Sequence, residues 1–112
     1  MVNGAHIVIY SRDAEADRAL FRDVLDFKYV DVGHGWLIFE LPPAEFAIHP
    51  SDENDRHELF LMCDDVYAAV KALSARGVSC EPFSAQRWGK STRFALPGGG
   101  SVGLYEPRHA RP

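Results

Sequence analysis

Hydrophobic positions change period along the chain in a fixed order, and the order occurs twice. His6-Ile7-Val8-Ile9-Tyr10 is a β-branched and aromatic run, the composition of a strand covered on both faces. Asp13 follows as an N-cap, and Glu15 and Asp17 add negative charge to the first helical turn. Ala16, Leu20, Phe21 and Val24 then recur at helical spacing and predict a helix over 14–25. Alternation returns over 27–32, Gly33-His34-Gly35 supplies a turn, and 36–41 reads as the next strand. Pro42-Pro43 breaks it, and 45–49 reads as a fourth.

The second half repeats this order. Residues 58–63 read as a strand, Asp65 as a cap, and Val66, Ala69, Val70 and Leu73 as the apolar face of a helix over 66–76 that stops at Gly77. A strand over 78–81 is closed by Pro82, and 92–96 and 101–106 form a hairpin about Pro97-Gly98-Gly99-Gly100. His6…Asp13 and Glu58…Asp65 share one spacing, Phe39-Glu40-Leu41-Pro42 matches Phe94-Ala95-Leu96-Pro97, and 45–50 matches 101–106. Two copies of a βαβββ module, about 4–50 and about 57–107, are therefore expected in a single domain over 1–112. The expected fold class is α+β, with eight strands and two helices.

Composition narrows the function classes. The formal charge of −4 comes without any block of like charges, so the basic footprint that nucleic acid needs is missing. No apolar run approaches the roughly 20 residues that cross a bilayer, and Met1-Val2-Asn3-Gly4 has no signal-peptide pattern. Cys63 and Cys80 lack C-x-x-C spacing, which reads as two reduced, buried thiols in a cytoplasmic protein. Ser11, Ser84 and Ser101 have no G-x-S-x-G context, and the glycine run has no P-loop lysine.

The duplicated module in so short a chain resembles the vicinal oxygen chelate superfamily of glyoxalases, bleomycin-resistance proteins and extradiol dioxygenases. Local patterns agree: the opening histidine seven residues before the capping Asp13, and the stretch from Leu20 to Phe27, similar to a family helix exit but with Asp26 where glycine is usual. Trp88-Gly89 and Leu96-Pro97-Gly98-Gly99-Gly100 look like the family's turns, with Leu96 in place of an aspartate. The resemblance implies a cup-shaped, curled mixed sheet with helices outside, a small-molecule pocket inside it, and pairing into a homodimer. In metal-dependent members, the first and fourth strands of each module each supply one ligand. Carried over, those positions are His6, Ala47, Glu58 and Gly103.

Strand alternation supports that placement. If Ile7, Ile9, Phe46, Ile48, Leu59, Leu61, Val102 and Leu104 face the helices, the four positions face the cup. His6 and Glu58 suit Zn, Fe, Mn or Ni, but alanine and glycine donate nothing, so the standard metal site is incomplete and no cofactor is favoured. His49 would complete a set with His6 and Glu58 only if its strand bulged, because a two-residue step is about 6.5–7 Å. The Asp65 spacing favours Glu58 over His57 as the inward residue. Without metal, His6 and Glu58 would meet at the cup floor, either as a base with its orienting carboxylate or as a polar pair that fills space. Val8, Tyr10, His49, Phe60, Met62 and Tyr105 would line a pocket for a partly aromatic ligand, or pack together and close it. Three functions are compatible with these residues: a small-molecule-binding protein; a metal-dependent lyase, isomerase or dioxygenase using His6 and Glu58 with displaced ligands; or a structural dimerisation module. No nucleic-acid or membrane partner is expected.

Overall fold

The computed structural model describes residues 6–112, so the start of the first module near residue 4 lies outside them. Helix α1 spans Ala14–Ala19 and continues into a π turn over Leu20–Val24. Strands β1 (Tyr29–Asp31) and β2 (Leu37–Phe39) form an antiparallel ribbon in the register Tyr29↔Phe39. Strand β3 (Phe60–Met62) leads to α2 (Val66–Ala75), and β4 (Ser84–Gln86), β5 (Gly89–Ala95) and β6 (Ser101–Pro107) complete the chain's elements. The last four strands form a mixed sheet in the order β3-β6-β5-β4, with β3 parallel to β6 and the other pairs antiparallel.

The helix ends form where the caps were read. Asp13 accepts from Ala16 N at 3.1 Å, and Asp65 accepts from Tyr67 N and Ala68 N at 3.0 and 3.1 Å. Glu106 adds a second acceptor at the start of α2, taking the Val66 N–H at 3.0 Å. The far end closes as a Schellman motif, with Gly77 at φ 81°, Gly77 N bonded to Ser74 O and Val78 N bonded to Leu73 O. In the first half, the same left-handed position falls to Asp26, at φ 56°.

The core joins both halves. Leu20 and Phe21 from the π turn meet Val66 and Leu73 from α2 and Phe94, Val102 and Leu104 from the sheet. Burying each such side chain contributes about 1.5–3 kcal/mol relative to exposure. Asp17 is buried with them and accepts the backbone N–H of Gly98 at 2.8 Å.

Three sequence expectations change. Among the described residues, 6–10 and 45–49 pair in no sheet: Tyr10, Phe46 and Ile48 are each at least 90% exposed. Strand propensity states what a segment can do, but a strand also needs a free edge beside it. Residues 78–81 make one isolated bridge, Cys80↔Phe94, flanked by Ala95 N to Ser79 O and Glu81 N to Arg93 O. The edge strand beyond β5 is instead β4, supplied by a tight turn at Arg87-Trp88. Six strands form among the described residues, not eight.

Candidate functional site

Helix α2 covers one face of the four-stranded sheet, where Leu59, Leu61, Phe94, Val102 and Leu104 pack. Alternation sends Glu58, Phe60, Met62, Arg93, Ser101, Gly103 and Tyr105 to the opposite, open face. Contacts across that face agree. The Phe60 ring lies over Gly103, where any Cβ would collide with it, and the Arg93 guanidinium stands 5.5 Å from the Phe60 ring centre.

Two groups of side chains share the face. At one end Arg93 Nη1 pairs with Glu58 Oε2 at 2.9 Å, and Arg56 approaches Glu58 Oε1 at 3.5 Å. Arg93 is fixed further by Ser101, donating to its Oγ at 3.0 Å and its carbonyl at 3.3 Å. At the other end Tyr105 is surrounded by aromatic rings: Phe60 at 6.3 Å, Trp88 at 5.5 Å and His109 at 5.7 Å between ring centres. The Phe60 and Trp88 contacts are edge-on, an arrangement that contributes about 0.5–1.5 kcal/mol beyond burial. Gly89 allows it, because a Cβ there would meet the Tyr105 ring and the Glu106 carbonyl. The Tyr105 hydroxyl donates to the Trp88 carbonyl at 3.0 Å. Burial, and secondarily the Glu45 carboxylate, push its pKa above the usual tyrosine value. Glu45 also lies 3.4 Å from His109 Nε2.

The structure brings Glu58, Phe60 and Tyr105 onto one surface with Met62, but not His6, Val8, Tyr10 or His49. His6 is exposed and its segment is unpaired, so it makes no hydrogen bond or ion pair with Glu58 among the described residues; Glu58 is engaged by arginines instead. His49 is exposed, its Nδ1 donating to the Pro50 carbonyl at 2.7 Å, and His57 is also exposed. Arg93 and His109 escaped the sequence reading. Arg93 had a signal, since it stands at the inward parity of its strand between Ser91 and Ala95.

The described residues do not assemble the implied metal centre. No group of three or more His, Cys, Asp or Glu side chains converges among them, and the Glu58 carboxylate is already neutralised by Arg93. Both thiols are pushed up in pKa, Cys63 by burial and then by Glu106 and Asp64, Cys80 by burial. Neither is a poised nucleophile. A separate groove of about 300 Å³ runs between α1 and the β1–β2 ribbon, lined by Arg18, Arg22, Tyr29 and His34 among others. Its edge is marked by Arg18, whose guanidinium lies 4.8 Å from the Trp36 ring. No helix among the described residues is long and apolar enough to cross a membrane.

No protein-family model matches the sequence, and no curated protein matches it. Solved structures do match. TnmS3, an antibiotic binding protein from Streptomyces sp. CB03234, is 23% identical with a TM-score of 0.70, over 96% of this chain and 98% of its own. Lactoylglutathione lyase from Agrobacterium tumefaciens is 18% identical with a TM-score of 0.66, over 92% of each chain. A glyoxalase/bleomycin resistance protein, also from Streptomyces sp. CB03234, is 24% identical with a TM-score of 0.60, over 87% of this chain and 94% of its own. Near-complete coverage of both chains at such low identity is agreement of architecture: the chain has the glyoxalase/bleomycin-resistance fold.

Proposed function

We propose that the chain is a small-molecule-binding protein that uses the open face of its four-stranded sheet. One observation carries the reading: the aromatic group Phe60, Tyr105 and Trp88 lies beside an arginine, Arg93, whose position is fixed by Glu58 and Ser101. Aromatic rings offer a flat apolar surface, and an anchored guanidinium offers directed donors at its margin. The fitting ligand is a planar or partly aromatic molecule carrying an acceptor group. Likeness of fold to an antibiotic binding protein supports this class of ligand. The reading needs no metal, places the protein in the cytoplasm on the strength of its two free thiols, and includes pairing of two copies.

The test is tryptophan fluorescence, with Trp88 as the reporter. Titration with bleomycin and with planar polycyclic aromatic antibiotics should quench wild-type emission saturably. Arg93→Ala should weaken that response, and Trp88→Phe should remove most of the quenching amplitude. Flat titrations across the whole set would refute the reading. The rival reading, a metal-dependent lyase, isomerase or dioxygenase, requires Glu58 to leave Arg93.

A further inference from the structure

The groove of about 300 Å³ between α1 and the β1–β2 ribbon shares no residue with the open face of the four-stranded sheet. Ligand pockets begin at about that volume, so an occupant is small. Glu15, Arg18 and Arg22 recur at helical spacing and form one wall. Tyr29, Asp31 and Leu37 form the other, with Leu37 directly opposite Asp31 across the ribbon.

The charged groups of these walls are unequally engaged. Arg22 is held by Asp23 through two bonds of 2.7 Å. Arg18 is partly buried, lies over the Trp36 ring, and makes no ion pair among the described residues. Glu15 stands three residues before it, a spacing at which opposite charges commonly pair, yet the two do not. Asp31 gives Oδ1 to the Gly33 N–H at 2.8 Å, and Trp36 N bonds to Gly33 O at 3.0 Å, so the turn that carries Arg18's aromatic partner is fixed. A partly buried guanidinium without an anion is incompletely compensated. A simple anion on Arg18 would meet the carboxylates of Glu15 and Asp31, and a simple cation would meet Arg18. A molecule carrying both charges a few bonds apart satisfies both walls.

We propose that this groove binds a free α-amino acid as its zwitterion, with the carboxylate on Arg18, the ammonium on Glu15 and Asp31, and the side chain against Tyr29 and Leu37. Helix neighbours three apart stand about 5–6 Å from each other at Cβ, so one compact molecule reaches Glu15 and Arg18 together. Tyr29 is held edge-on by Phe39, 5.9 Å between ring centres, and offers a fixed apolar surface that favours an apolar or aromatic side chain. Because Trp36 already positions Arg18, little side-chain freedom is lost on binding.

The test is an amide NMR titration with L-phenylalanine and L-leucine, beside 3-phenylpropionate and phenethylamine, which each lack one of the two charges. L-Phenylalanine should shift the amides of 14–24 and 29–37 saturably. Each analogue should bind about tenfold more weakly or worse, from the loss of one charge-assisted bond. Arg18→Gln and Glu15→Gln should each reduce L-phenylalanine to the level of the analogue lacking the matching charge. Arg18→Lys should recover part of the affinity, with circular dichroism checking that the helices persist. Equal binding of 3-phenylpropionate or phenethylamine would overturn the zwitterion. Undiminished binding by Arg18→Gln would overturn the carboxylate's partner. Shifts confined to the open face of the sheet, or no saturable shift with either amino acid, would overturn the site.

Discussion

Gly98 donates its backbone N–H to the buried carboxylate of Asp17 at 2.8 Å, so a helix of the first half holds a hairpin turn of the second. The second oxygen, Oδ2, has no partner among the described residues. Replacing Asp17 by alanine strands the Gly98 donor, at about 1–3 kcal/mol. Gly98→Ala drives a methyl group against Ser11 Oγ and should also destabilise. Urea midpoints of both variants should fall below wild type; an unchanged midpoint in Asp17→Ala would mean the tie contributes nothing.

Asp26 occupies the left-handed region, where an L side chain is strained and glycine is free. Asp26→Gly should therefore raise stability, by up to about 1 kcal/mol, despite glycine's greater freedom when unfolded. Asp26→Val should lower it by more. Thermal unfolding of the pair gives opposite signs if the backbone geometry decides.

Tyr105 has a raised pKa and donates a hydrogen bond that a phenolate cannot make. Its stabilising contribution is complete below the unfolded tyrosine pKa of about 10 and is lost as pH rises through the higher folded value. Cys63 and Cys80 share that sign from a lower starting value. Wild type should thus lose stability between neutral and strongly alkaline pH. Tyr105→Phe should lose less over the same interval in urea titrations.

Glu58 and Arg93 are partly exposed, so a double-mutant cycle should give a coupling of about 0.5–1 kcal/mol and not more. Calorimetry with Zn²⁺, Mn²⁺ and Ni²⁺ separates the functional readings. Wild type should show no tight stoichiometric uptake. Uptake that His6→Ala, Glu58→Ala and His49→Ala all abolish would establish a metal centre instead.

Much of the second half was legible because its pattern is local. Period-two alternation put Leu59, Leu61, Val102 and Leu104 under α2 and Phe60 and Tyr105 on the other face. The caps Asp13 and Asp65 were readable because a short acidic side chain needs only its own next turn. The Glu58–Arg93 pair was not, since it joins residues 35 apart through a long side chain on a strand two away in the sheet. Residues 6–10 and 45–49 carry a true strand signature, but composition says nothing about which edge is present to receive them.

The π turn has an evolutionary consequence. Leu25 N reaches back five residues to Leu20 O at 3.1 Å, so this helix holds one residue more than an α-helical turn requires. Arg22 and Asp23, both exposed, stand within the surplus, while Leu20 and Phe21 anchor the core before it. Deleting either residue would convert the segment to ordinary α-helix without moving those anchors. Relatives with this helix one residue shorter should therefore keep the same core, and length variation in the lineage should collect at this turn.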